Sequence, residues 1–468
     1  MRNHPLDLPR QKPLALGIAF VLSLATSAAT AATHVVMNCL NGGTGSLRAV
    51  IGAATTNSGD TVDMSGLSCA TISLTTGAIT ITKNSLILKG PGRDALTVKR
   101  DSAISNARIF KHTGTGTLTI SGLTVSNGYY GGSATTTANG GCIYSAGAVK
   151  LTRARVSDCA VTAKSTAQGG GIFAKTALTM SYSSLLNNTA HVVGASILDT
   201  ARGGGAQATT FTATGSAIVG NSVKGTATTA FGGGVLSNGG DFTLTASLVS
   251  GNHSDGNGGG IAAGPGLCHS CTAQARVYNS TITGNSAYLV GGVLIGDASK
   301  VINSTIAFNT ASYSKTLVSG NLKVFAAGLV AYEAPIYLES TLLANNVADN
   351  PYGDSDFSVI SVLAKPATVT TAANLIREDY GQAPAGNLQG SCPLLGALRD
   401  NGGNTRTLAL MSNSPGINVG SNATGNFTYD QRLTPFARDV NGPDIGAYEI
   451  QPEIIFTANF ESCPPLTP

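Results

Sequence analysis

Val277-Tyr278-Asn279-Ser280-Thr281-Ile282-Thr283-Gly284-Asn285-Ser286-Ala287 is followed 24 residues later by Val301-Ile302-Asn303-Ser304-Thr305-Ile306-Ala307-Phe308-Asn309-Thr310-Ala311. In each copy aliphatic residues alternate with polar ones, the pattern of a short strand with one buried face, and an asparagine closes the run. The same unit recurs outward from this pair, between Gly140 and Ala348. A glycine cluster starts at Gly140, Gly169, Gly203, Gly232, Gly258 or Gly291, and the strand-like segments close at Asn188, Asn221, Asn252, Asn285, Asn309 or Asn346. A repeat of roughly 25–35 residues marks stacked coils, none of which can bury its apolar face alone.

Strands of four to six residues with Gly or Asn corners cannot build a flat open sheet, but they build the sides of a coil. Both residues tolerate the left-handed backbone of a sharp corner, and a stacked Asn can also hydrogen-bond to its copies above and below. With ~4.8 Å between stacked strands, roughly ten to twelve coils over residues 70–350 give a rod on the order of 50 Å long. The preferred hand of parallel crossovers makes the expected fold an all-β, single-stranded right-handed parallel β-helix.

Composition agrees. Only 11% of the 468 residues are charged, 59 are Gly, none is Trp, and every Glu lies at or beyond Glu333. At 42% hydrophobic residues the low charge does not signal disorder. Residues 32–69 read as an N-terminal cap, because Leu47, Val50 and Ile51 fall at helical spacing in the best helix candidate, 45–54. Such a helix would cover the first sheet edge. Beyond Asn350 the repeats dissolve, so 351–450 reads as a C-terminal cap and 451–468 as a tail.

Residues 1–31 read as a secretory signal peptide: Arg2, Arg10 and Lys12 lead, Leu14 to Leu24 is apolar, and Ala29-Thr30-Ala31 offers a cleavage site. No later apolar run reaches the ~20 residues that span a bilayer. Cleavage would lower the formal net charge from +4 to +2, which leaves no basic stripe for nucleic acid. The expected location is therefore outside the cell or on its outer surface. Eight cysteines suit an oxidising compartment, and sequence neighbours suggest Cys39–Cys69, Cys142–Cys159, Cys268–Cys271 and Cys392–Cys463 among 105 possible pairings.

Cys392-Pro393-Leu394-Leu395-Gly396-Ala397-Leu398, Asp400-Asn401-Gly402-Gly403-Asn404-Thr405-Arg406-Thr407, Ser414-Pro415-Gly416-Ile417-Asn418 and Asp444-Ile445-Gly446-Ala447-Tyr448-Glu449 follow in order near the C-terminus. These four blocks resemble the closing signature of the choice-of-anchor Q family, and Gly45 to Ile51 resembles its opening helix. The glycine-cluster units are also similar to polymorphic outer-membrane-protein repeats. The resemblance implies a bacterial secreted or surface protein with a right-handed β-helix body, and it lends no catalytic residues. One departure is Asn418, where the family usually carries Asp.

Catalysis on a sugar polymer has recognisable needs. A glycosidase uses two carboxyl groups roughly 5–10 Å apart, and on adjacent coils these would recur at matching positions. The units from Gly140 to Ala311 carry only Asp158, Asp199, Asp241, Asp255 and Asp297, at different phases. A lyase would use calcium carboxylates with a Lys or Arg base. Asp349, Asp354 and Asp356 form the densest acidic cluster and are the calcium candidate, with a solvated loop as the plainer reading. Asp430, Arg432, Arg438, Asp439 and Asp444 read as structural ion pairs and turn caps. Tyr129, Tyr130, Tyr144, Tyr278, Tyr288, Tyr313, Tyr332 and Tyr337 could form a sugar-stacking strip.

No catalytic residue and no cofactor is therefore expected, apart from that calcium candidate. The expected role is a non-catalytic, adhesin-like surface for glycans, cell-surface partners or self-association. A polysaccharide lyase or glycoside hydrolase acting on acidic polysaccharide is the alternative.

Overall fold

The computed structural model describes residues 31–452, apart from 227–228, 265–272, 297, 313–314, 319–320, 325, 333–334, 349–355, 361–367 and 380–382. The chain winds into an all-β parallel solenoid of about ten turns. One coil shows the plan. Ile143–Ser145 and Ala148–Thr152 lie on a long front face, Arg155–Ser157 on a side face, Ala160–Ala163 on a back face and Thr166–Gln168 on a short fourth face. Each strand pairs in parallel register with its copy in the next coil: Ile143 with Ile172, Val156 with Leu185, Val161 with Ala190, Ala167 with Ala201.

Side chains alternate in and out along a strand. Val149 and Leu151 therefore enter the core with Leu118, Ile120, Leu178 and Met180 above and below, while Lys150 and Thr152 face out. Branched and small aliphatics fill the interior with few large rings; Phe211 and Phe242 are an exception, stacked 5.2 Å apart on neighbouring coils.

Corners are set by left-handed backbone. One corner passes through Arg153, Tyr182, Gly215, Ala246, Asn279, Asn303 and Ser340, and the next through Asp158, Asn187, Gly220, Gly251, Gly284 and Phe308. Just after the second corner the turn asparagines stack as expected. Asn188 Nδ2 donates to Asn221 Oδ1 at 2.9 Å, and the relay continues through Asn252, Asn285, Asn309 and Asn346 at 2.8–2.9 Å. Each Nδ2 also reaches a strand carbonyl one coil back, so both amide hydrogens are used.

A second ladder runs beside the first corner. Ser183, Ser216, Ser247, Ser280 and Ser304 are buried, and each Oγ donates to the carbonyl two residues earlier. From Ala154 onward, the backbone N–H of one coil donates to the serine Oγ of the next, at 3.0–3.3 Å.

Cys142 and Cys159 are bonded, as are Cys39 and Cys69. The first bond has a register explanation. In later coils the third glycine of the cluster abuts the ladder asparagine: a Cβ on Gly171 would lie 2.9 Å from Asn188 Cγ. Cys142 stands in register with Gly171, and Cys159 with Asn188. The disulfide thus replaces the Gly–Asn contact in the first coil of the ladder. Cys392 is also disulfide-bonded; Cys268, Cys271 and Cys463 lie outside the described residues, as does the signal-peptide candidate up to residue 30.

Both ends differ from expectation. Thr33–Val35 and Thr61–Asp63 already pair on the front face, so the stack starts within the expected N-terminal cap. The helix forms over Leu47–Gly52, with Ser46 Oγ accepting from Ala49 N–H and with Leu47 and Ile51 buried. At the other end Phe357–Ile360, Val369–Ala372, Leu375–Ile376 and Leu388–Gln389 continue the sheets past residue 350.

The segment from Leu395 to Ile450 lies along the flank of the rod. Leu395, Leu408, Leu410 and Ile445 pack with Leu342, Ala344 and Leu375 of the side face. Asn279 Nδ2 donates to Tyr429 O, and Ala447 N–H donates to Thr305 Oγ1. Outward leucines at 342 and 375, on a face where hydroxyls stand earlier, are the physical reason: they need a cover.

Candidate functional site

The solenoid alternation makes one outward position informative. Gln207 lies between core residues Ala206 and Ala208 and so points out, yet it is only 6% exposed. Its row runs in register from Tyr144 through Phe173 and Gln207 to Leu236, which is also buried. Across the glycine corner a second row runs from Asn139 through Gln168 and Arg202 to Phe231. The corner is sharp because Gly140, Gly169, Gly203 and Gly232 adopt φ of 62–70°, and a Cβ at any of them would strike a backbone carbonyl at 2.1–2.4 Å. Gln207 and Leu236 are thus outward-pointing yet buried along this corner.

At its N-terminal end Tyr144 and Phe173 stack with ring centroids 5.7 Å apart and planes 8° apart. Both are partly exposed, so this stacked aromatic pair reaches the outer surface. Arg108 closes this end, its guanidinium 3.3 Å over the Tyr130 ring and 5.4 Å from Tyr144, while Nε donates to the carbonyls of Asn139 and Gly140. Three buried polar atoms on the two rows have no hydrogen-bond partner: Asn139 Oδ1, Arg202 Nε and Gln207 Oε1. Burial pushes the Arg202 pKa down from its ordinary value.

A concavity of about 340 Å³ opens near the N-terminal end of the side face, lined by Ser73, Lys99, Arg100, Asp101, Tyr129 and Asp158 among others. It brings two carboxylates and two cations together, which the sequence did not foretell. Asp101 accepts from Ala103 N–H and Ser73 Oγ, and these bonds hold its pKa below the usual carboxylate value. Arg100 Nε donates to Asn127 O at 2.8 Å, and its Nη1 to Ile104 O. Asp158 is a left-handed corner residue approached by Asn187 Nδ2.

The sequence candidates fare unequally. Asp349 and Asp354 lie outside the described residues. Asp356 lies in a bend just before Phe357–Ile360 and is buried rather than solvated, with both carboxylate oxygens taken by N–H donors from Asn346 and Glu378. Among the described residues no group of three or more His, Cys, Asp or Glu is placed to hold a metal ion, and no helix is long and apolar enough to cross a membrane.

The tyrosines do not form one strip. Tyr144 stacks on Phe173, Tyr129 lines the concavity, Tyr278 tilts against Phe427, and Tyr337 donates to Glu339; Tyr313 lies outside the described residues. Asp430, Arg432, Arg438 and Asp444 are buried among turns, with Arg432 Nη2 2.6 Å from Asp430 Oδ2. Asp439 is exposed. The signature blocks feed this network: Asp444 accepts from Asn418 and Ile450, Glu449 from Val440 and Asp444, and Gly403 packs against Arg432.

Fold and site together define an all-β parallel solenoid with an aromatic and polar corner. Among solved structures, the crystal structure of pectate lyase Pel9A is similar, with a TM-score of 0.43 and 15% sequence identity over 90% of this chain and 98% of that one. No family model and no curated protein matches the chain.

Proposed function

We propose that this is an exported, non-catalytic β-helix whose long surface binds glycans, in the manner of an adhesin, outside a bacterial cell or on its outer surface. Other cell-surface partners and further copies of the chain would use the same surface. The observation that carries the reading is the partly exposed Tyr144–Phe173 pair on the outer face of the coil, since sugars pack against aromatic rings. The disulfides at Cys39–Cys69, Cys142–Cys159 and Cys392 agree with an oxidising compartment. The four closing blocks support membership of the choice-of-anchor Q group, and the buried turn network they build agrees with a structural use of those residues.

A glycan array with purified protein tests the reading. Binding that Phe173→Ala weakens at least tenfold supports it, and an array with no binding ends it.

The concavity at Asp101 and Asp158 supports a second reading, a polysaccharide lyase or glycoside hydrolase, because two carboxylates and Lys99 line one space. It ranks second because Asp101 and Arg100 are already committed to hydrogen bonds within their own turn. Depolymerisation of an acidic polysaccharide at ordinary turnover, lost in Asp158→Asn, would reverse the ranking.

A further inference from the structure

We propose that a concavity on the first corner of the rod binds an oxyanion, a carboxylate, sulfate or phosphate group, between Arg93 and Arg153. The site lies apart from the Tyr144–Phe173 pair and does not rest on the glycan reading. It encloses about 350 Å³, lined by Gly92, Arg93, Ser121, Arg153, Tyr182 and Asn404 among others.

Its floor is the corner itself. Gly122, Arg153, Tyr182 and Gly215 follow one another on successive coils, each with a left-handed φ of 46–60°. Glycine meets that backbone freely, whereas a long side chain there is strained. Glycine on either side leaves room for the two side chains between. A Cβ on Gly215 would lie 2.8 Å from Tyr182 Cδ1 and Cε1, so the ring lies over that glycine. The Arg153 guanidinium stands 5.6 Å from the centre of the same ring.

A loop brings the second cation to this place. Arg93 reaches three coils along the rod, and its Nη1 donates to Tyr182 O at 3.0 Å. Arg93 O accepts from Thr124 Oγ1 at 2.6 Å, which fixes the loop. Asn404 comes from the flank segment, so the rod and the segment that covers it both contribute to the site.

Charge decides what fits. None of the lining residues is Asp or Glu. Asp94, beside Arg93, is three-quarters exposed and held by Arg155 Nη2 at 2.9 Å, which leaves it 3.9 Å from Arg93 Nε. Arg153 forms no ion pair among the described residues. Three arginines thus share one carboxylate. A guanidinium fork matches two oxygens of an anion, and the serine hydroxyl and Asn404 amide add donors around it.

The test is calorimetric titration of the whole chain, in buffer free of oxyanions, with sulfate, phosphate, glucuronate, glucose 6-sulfate and glucose. The charged probes should bind and glucose should not, with affinity falling as salt rises. Arg153→Gln should weaken the charged probes about tenfold or more, Arg153→Lys should recover part of the loss, and Phe173→Ala should change nothing. Tighter binding of glucuronate or glucose 6-sulfate than of the free ions supports the site and assigns the oxyanion to a sugar. Equal binding supports the site and assigns it to the free ion. The proposal is overturned if no charged probe binds, if glucose binds as well as its charged forms, or if Arg153→Gln binds undiminished. An equal loss in Phe173→Ala and Arg153→Gln also overturns it. A blank glycan array, which ends the glycan reading, leaves this site standing if the free ions bind.

Discussion

Asp356 Oδ1 accepts both the backbone N–H and the side-chain Nδ2 of Asn346, each at 2.8 Å, and so ends the asparagine ladder with a buried carboxylate. An asparagine rung must pass its amide hydrogens onward, whereas a carboxylate only accepts. Asp356 Oδ2 takes the Glu378 N–H at 3.0 Å, which completes the terminus with three donors and no onward donor.

Burial pushes the Asp356 pKa up to about 7, against the pull of those N–H groups. Its folded value thus lies above the unfolded one near 4, so the folded state holds the proton more tightly between the two. The stability it adds is complete below about pH 4 and is lost as pH rises through about 7. Asp356→Asn should remove that slope, on the order of 4 kcal/mol, while placing an amide hydrogen against Glu378 N–H. Denaturation midpoints from pH 4 to 8 should therefore fall more steeply in the wild type than in the variant. Parallel profiles would contradict the account.

Asn252 is a middle rung, and Asn252→Ala strands Asn221 N–H and Nδ2 and frees the Ile218 carbonyl and Asn285 Oδ1. Each buried group left unpaired costs about 1–3 kcal/mol, so a loss of roughly 3–5 kcal/mol is expected. Ser247→Ala removes one donated and one accepted bond and should cost less, about 1–2 kcal/mol. Urea unfolding of both variants checks the order.

The Cys142–Cys159 bond stands where later coils place glycine against asparagine. The double variant Cys142→Gly with Cys159→Asn should extend the ladder by one rung and keep most of the stability. Cys142→Ala with Cys159→Ala should lose about 3 kcal/mol from the freed 17-residue loop. Melting temperatures of the two double variants decide it; equal losses would show that the register equivalence has no energetic content.

Removing one partner of the fully buried Arg432–Asp430 pair leaves an uncompensated charge under the flank segment. Asp430→Ala should cost about 3–5 kcal/mol and loosen residues 392–450 from Leu342 and Leu375. Limited proteolysis should then cut within that segment while the central coils stay intact. Uniform resistance would show that the segment holds without the pair.

Much of the body was legible because backbone physics writes it locally. The glycine clusters mark one left-handed corner, and the six turn asparagines stack as their spacing implied, one residue after a left-handed corner that Asp158, Asn187, Gly220 and Phe308 occupy in turn. The serine ladder carried an equal signal that is easily passed over: a serine or threonine stands five residues before each turn asparagine, from Ser183 and Asn188 to Thr341 and Asn346. In sequence such a residue looks like any outward strand hydroxyl. Only the coil geometry shows it turned inward against the next backbone N–H.

The outward rows beside the glycine corner were not legible. Asn139, Gln168, Arg202 and Phe231 share a register position but pass from amide to guanidinium to aromatic ring, so no repeat in composition betrays them. The same holds for Asp356, which reads as one acid in a solvated cluster and is in fact the ladder's last rung.

The sequence by itself determined the coil, because alternation, corner residues and repeat length are properties of neighbouring residues along one chain. The tertiary structure alone decided what the coil presents outward. The burial of Gln207, the unpartnered Arg202 Nε and the flank position of Leu395 to Ile450 all depend on contacts between residues distant in sequence. Hydrogen-bond partners and solvent exposure are set by the coils above, below and alongside, and no local pattern encodes them.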